Sequence, residues 1–169
     1  MTSYVALLRA INLGAASTVR REVLIAAATA LGYARPRTFI ASGNLLFDTD
    51  APEATVKASL EQEFAARTGK AVAVVVRTAA EMAAVRNANP FAHAPGNRVI
   101  AILLDAPPPA DALAHVRHVA GEHIALGERE IYIRYTDTGM AQSKLVVPAA
   151  KAGTGRNMNT VAKLAAMLA

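Results

Sequence analysis

Apolar positions along this chain follow two different periods, and the changes of period mark its elements. Tyr4 to Ile11 is almost continuously apolar, as a strand covered on both faces would be. A loop with Asn12, Gly14 and Ser17 follows. Thr18 to Leu31 then carries Val19, Val23, Leu24, Ala27, Ala30 and Leu31 at spacings of three and four, with Gly32 as the stop, which predicts an amphipathic helix capped by Ser17 or Thr18. Arg37–Ala41 and Leu45–Asp48 read as two short strands joined through Ser42-Gly43-Asn44, a link whose glycine and asparagine suit a hairpin. Pro52 to Arg67 places Val56, Leu60 and Phe64 on one helical stripe, and Ala71 to Arg77 is a β-branched strand. The order β-α-β-β-α-β over residues 4 to 77 is a ferredoxin-like arrangement, an antiparallel sheet backed by two helices.

The second half repeats part of this pattern. Glu81–Asn87 predicts a short helix, and a loop with two prolines runs from Asn89 to Gly96. Arg98–Leu104 predicts an apolar strand, and a helix is expected at Asp111–Ala120 after the run Pro107-Pro108-Pro109. His123–Leu126 and Ile131–Tyr135 alternate like a hairpin around Gly127-Glu128-Arg129. Helices are then expected near Gly139–Val146 and at Asn157–Leu168, with no fourth strand. The fold class expected is α+β: a tandem of two ferredoxin-like units at residues 1–78 and 79–169, with the second modified and ending in helices.

A chain of 169 residues can bury about 70% of its unfolded surface, enough for one large or two small cores. Apolar residues make up 53% and charged ones 18%, so the composition is that of a globular protein. The absence of cysteine excludes disulfides, thiolate metal sites and a Cys nucleophile. The apolar runs are strand-length, far short of the roughly 18 residues of a spanning helix, and the N-terminus lacks an export signal. A cytoplasmic protein without membrane association is expected, and homo-oligomerisation stays open. The net charge is +5, and its distribution is informative: no acid follows Asp137, while Lys144, Lys151, Arg156 and Lys163 do. An acid-free basic stretch sets up a positive potential that attracts phosphates or acidic partners.

Candidate chemistry is sparse. The loop from Arg9 to Thr18 joins a strand end to a helix start, a geometry that favours anions. It nevertheless holds only Gly14 and matches neither dinucleotide nor P-loop spacing. Ser42-Gly43-Asn44 is explained by turn chemistry, and no G-x-S-x-G nucleophile elbow is present. Arg156 stands beside the expected start of the final helix, where a cation opposes the helix dipole unless an anion or carboxylate joins it. His115 and His118 fall three apart on the expected helix, with Leu113, Val116 and Val119 as its core face, and read as surface histidines; neither a metal nor a cofactor is expected. Phe39, Phe47, Tyr132 and Tyr135 lie on expected strands, but no basic-Gly-aromatic run of the kind that stacks RNA bases accompanies them.

Several of these segments together resemble one family. Tyr4-Val-Ala-Leu-Leu-Arg9, Ile11-Asn12-x-Gly14, Ser42-Gly43-Asn44-x-x-Phe47, Asn89-Pro90-Phe91, Ser143-Lys144-Leu145 and Thr154-x-Arg156-Asn157-x-x-Thr160-Val161-x-Lys163-Leu164 are similar to motifs of the DUF1697 family of bacterial proteins, in the same order from end to end. The resemblance implies a two-unit α+β fold of ferredoxin-like topology and no established activity. Family members often carry Arg-Gly-Ile-Asn-Val-Gly-Gly followed by Asn-Lys in the first loop. Here Ala10, Ala15, Ser17 and Thr18 stand at the differing positions, which weakens a phosphate cradle there. Met158 replaces the tryptophan common after the Arg-Asn pair.

The polar residues that carry the match are Arg9, Asn12, Ser42, Asn44, Lys144, Arg156 and Asn157. With Lys163 they are the expected ligand-binding set. The function expected is a binding module for a phosphate-bearing anionic ligand, a nucleotide or nucleic acid. Arg9, Lys144, Arg156 and Lys163 would supply charge, and Asn12, Asn44 and Asn157 hydrogen bonds. The alternatives are a small enzyme using Arg9 and Lys144 as an oxyanion clamp with Ser42 or His93 as the reacting group, or a protein–protein interaction module.

Overall fold

The apolar segment at the start of the chain becomes β1 (Thr2–Leu8) in the computed structural model, which describes residues 1–9, 19–40 and 43–169. After it come α1 (Arg21–Ala30), β2 (Ala34–Thr38), β3 (Asn44–Thr49), α2 (Glu53–Thr68) and β4 (Val74–Thr78). The strands form an antiparallel sheet in the order β2-β3-β1-β4, with Tyr4 opposite both Phe47 and Thr78. Side chains alternate across a strand, so Tyr4, Ala6 and Leu8 share one face. They pack with Leu24, Ala27 and Ala28 of α1 and with Val56, Leu60 and Phe64 of α2. Val5 and Leu7, on the opposite face, are also fully buried, as a continuously apolar strand requires. Phe47 stacks on Tyr33 at 4.8 Å. α2 stops where expected, at Gly69, whose φ of 72° is left-handed and whose N–H bonds Ala65 O at 2.9 Å.

The chain continues through α3 (Ala79–Asn87), β5 (Val99–Leu103), β6 (His123–Leu126), β7 (Glu130–Arg134), β8 (Thr154–Asn157) and α4 (Met158–Leu168). These four strands form a second antiparallel sheet in the order β6-β7-β5-β8, the same order in sequence terms as the first. Ile131, Ile133, Leu104 and Val147 anchor a core joined by Ile102, Val116, Ile124 and Leu126. Thus the chain is α+β, with two four-stranded antiparallel sheets and four α-helices among the described residues. One unit consists of Met1–Glu81 with Ala166–Ala169, the other of Met82–Ala165. No helix among the described residues is long and apolar enough to cross a membrane.

Three expectations are corrected. A fourth strand does exist in the second sheet: β8 pairs with β5, Asn157 opposite Ile100 and Thr154 opposite Leu103. The helix expected at Asp111–Ala120 is only a 3-10 turn at Ala112–His115. Arg117 beyond it exchanges backbone hydrogen bonds with Val146 in an isolated antiparallel bridge, and this pairing takes the N–H and C=O a helix would use. Leu113 and Val119, expected in the core, are 45% and 55% exposed. The helix expected near Gly139–Val146 is likewise a 3-10 turn, Met140–Gln142, followed by extended chain that makes the other half of the same bridge. In unit 1, α1 begins later than expected, with Arg20 at its N-cap and no side-chain cap; Ser17 and Thr18 lie outside the described residues.

Candidate functional site

In unit 1, two of the expected residues sit where β1 ends and β3 begins. Leu8 N–H donates to Gly43 O and Arg9 N–H to Ala73 O, both at 2.8 Å, so the starts of β3 and β4 flank Arg9. Asn44 is 3% exposed. Its Nδ2 donates to Phe39 O at 2.9 Å while its carbonyl accepts from Phe39 N–H, so its side chain locks the hairpin that the sequence predicted. Asn12 and Ser42 lie outside the described residues.

In unit 2, Arg156 and Asn157 belong to β8, and each has a local structural role. Asn157 Oδ1 accepts the Thr160 N–H at 2.9 Å, the N-cap bond of α4. Arg156 is half-buried, and its Nη1 donates to Thr154 Oγ1 and Gly155 O within its own strand. Burial pushes its pKa down to about 10, so it remains a cation at neutral pH. Lys163 is exposed on α4.

Lys144 lies elsewhere, in a pocket of about 330 Å³. The pocket arises from the pairing of β6 with β7. His123 faces Arg134, so the chain entering β6 and the chain leaving β7 emerge side by side at one end of the sheet. The Arg117–Val146 bridge draws the outer ends of these excursions together and closes the space between them. One wall is His118, Val119, Ala120 and Glu122; the other runs from Thr136 and Thr138 to Gln142, Ser143 and Lys144. Gly121 lets the walls meet: its φ is 95°, and a Cβ there would lie 2.9 Å from Thr136 Cγ2. His118 holds a φ of 60°, an uncommon backbone state for a residue with a side chain. Arg98 braces the Thr136 wall, its Nη1 donating to Thr136 O at 3.3 Å.

Glu122 is the anchor of this pocket. It is 7% exposed, accepting the Ala120 N–H at 2.7 Å on one oxygen and the Ser143 hydroxyl at 3.1 Å on the other. The Ala120 bond, reinforced by Ser143 against the opposing pull of burial, holds its carboxyl below the usual carboxylate range. A carboxylate so stabilised is a poor base, so the Glu122–Ser143 contact fixes the wall rather than activating a nucleophile. Ser143 also accepts from Leu145 N–H at 3.2 Å, which locks Lys144 between two anchored residues. Lys144 itself is exposed on the rim. Among the described residues no group of three or more His, Asp or Glu side chains could hold a metal ion.

Of the expected set, Lys144 alone lines this pocket among the described residues. Thr136, Thr138 and Gln142 carry no motif that marks them in the sequence; the local signals for this pocket are His118 and the run Ser143-Lys144-Leu145.

A family model described as "Protein of unknown function (DUF1697)" matches residues 1–132. The match takes in His118 to Glu122, whereas Lys144, Arg156, Asn157 and Lys163 lie beyond it. A solved structure, described as that of the conserved bacterial protein SP0830 from Streptococcus pneumoniae, is similar with a TM-score of 0.78 at 22% identity, covering 99% of this chain and 98% of that one. At that identity the likeness is one of fold. No curated protein matches the chain.

Proposed function

Taking as premise that the chain belongs to the DUF1697 family of proteins of unknown function, we propose that it is a cytoplasmic binding module for a phosphate-bearing anionic ligand, with Lys144 as the charged contact. The observation that carries this reading is an exposed lysine on the rim of a pocket whose same wall offers the hydroxyl and amide groups of Thr136, Thr138, Ser143 and Gln142. The pocket's volume lies within the range of small-molecule sites, at its lower end. Lys144 also belongs to the stretch after Asp137 that holds no acid, and it is the one lysine or arginine of the pocket lining. Arg9, with Asn12 and Ser42, forms a second proposed set of anion contacts in unit 1. The finer architecture proposed with this is a tandem of two ferredoxin-like units, which the shared strand order of the two sheets supports.

A thermal-shift series with inorganic phosphate, AMP and a short single-stranded RNA, each at low and high salt, tests the reading. A ligand at 100 times its Kd adds about 2.7 kcal/mol, a rise of several degrees for a chain of this size. The expected rise shrinks with salt and disappears in Lys144→Ala. A rise that survives Lys144→Ala and is lost in Arg9→Ala moves the site to unit 1. No rise with any of the three overturns the proposal.

A further inference from the structure

Phosphate at Lys144 accounts for one side of the pocket and leaves the other side unexplained. Glu122 is the one acid lining it among the described residues, and it is ionised and largely buried. A carboxylate repels phosphate oxygens but is a strong acceptor for hydroxyl donors. It offers about four acceptor positions, of which the Ala120 N–H, the Ser143 hydroxyl and its own backbone N–H occupy three. Ser143 has its proton committed to Glu122 and a lone pair to Leu145 N–H, and the Thr136 and Thr138 hydroxyls bond each other at 2.7 Å. Among the acceptors of the lining, Glu122 is the one that carries a negative charge, and so the strongest for a hydroxyl donor.

We infer that the ligand is a small phosphorylated polyhydroxy compound, a sugar phosphate or mononucleotide, whose hydroxyls donate to Glu122 while its phosphate meets Lys144. The inference rests on the phosphate reading above and narrows it. A pocket of about 330 Å³ takes one such molecule rather than a strand. Phe47 and Tyr132, which a base-stacking sheet surface would present, are fully buried. The opposed charges also fix polarity: a ligand that is anionic throughout meets Glu122, and one that lacks an anion forgoes Lys144.

Calorimetric titration of the full chain with ribose 5-phosphate and with ethyl phosphate separates the two claims. Wild type is expected to bind ribose 5-phosphate about ten- to a hundredfold more tightly, the worth of one charge-assisted hydrogen bond. Glu122→Gln brings the two affinities together, and Lys144→Ala weakens both alike. Equal affinity of wild type for the two compounds overturns the inference and leaves the phosphate reading standing; this comparison needs no variant to fold. A preference that persists in Glu122→Gln overturns the role given to Glu122. Failure of wild type to bind either compound or inorganic phosphate overturns the phosphate reading, and the inference with it.

Discussion

Asp48 shows how much a single buried side chain can contribute and how little of that is visible locally. It sits on β3 with 4% exposure, accepts Ser3 Oγ–H at 2.7 Å on one oxygen and takes Arg35 on the other. Burial alone would raise its pKa, but Ser3 and Arg35 together outweigh it and hold the carboxyl below its ordinary value. A depressed carboxylate stabilises the fold above its unfolded pKa, and this contribution is lost as pH falls through the lower folded value. Arg35 is 70% exposed, so its Coulombic share is screened and the Ser3 bond matters more. Asp48→Asn is expected to cost about 1–3 kcal/mol at neutral pH in urea unfolding, with the gap to wild type closing as pH falls through the lowered folded pKa of Asp48. A gap unchanged from neutral to strongly acid pH would exclude the carboxylate as its source. None of this was legible in sequence, because Ser3, Arg35 and Asp48 meet only through the register of β1 with β3 and the bulge in β2.

Elements with a period of their own were readable, and those made by a neighbour were not. The α2 stripe Val56, Leu60 and Phe64 is fully buried as its spacing demands, and the hairpins of both sheets fall near the expected residues. β8 escaped because Thr-Gly-Arg-Asn has little β propensity; β5 supplies the ladder that makes it a strand. The Arg117–Val146 bridge overrode the helical spacing of Leu113, Val116 and Val119 in the same way. The N-cap bond of α4 comes from Asn157. Asn157→Ala should therefore cost about 1 kcal/mol in chemical denaturation, whereas Asn157→Asp, which keeps the acceptor, should cost much less. Equal losses in the two variants would show that Asn157 acts through some other contact.

Across the whole chain, the central strands of the two sheets hold the most deeply buried ladders. Val5, Leu7, Leu45, Leu46, Ala101 and Ile131 are fully buried on β1, β3, β5 and β7, whereas β2, β4, β6 and β8 are edges. Native-state hydrogen exchange should be slowest in those central strands and faster in β6 and β8; comparable protection at the edges would contradict the strand order. At this scale the basic run that holds Lys144 was legible as composition. The pocket was not, since the chain segments that wall it come together only through a backbone bridge. The make-up of unit 1 carries a further consequence, for the order of assembly. Arg37 Nη2 donates to Met167 O at 2.9 Å across 130 residues of sequence, and Ala166–Ala169 belong with Met1–Glu81. A ribosome adding about 5–20 residues each second delivers Met167 roughly ten seconds after Arg37. The first half to be synthesised is thus the last to be completed: its opening sheet must wait for Ala166–Ala169 until the whole intervening unit has been translated.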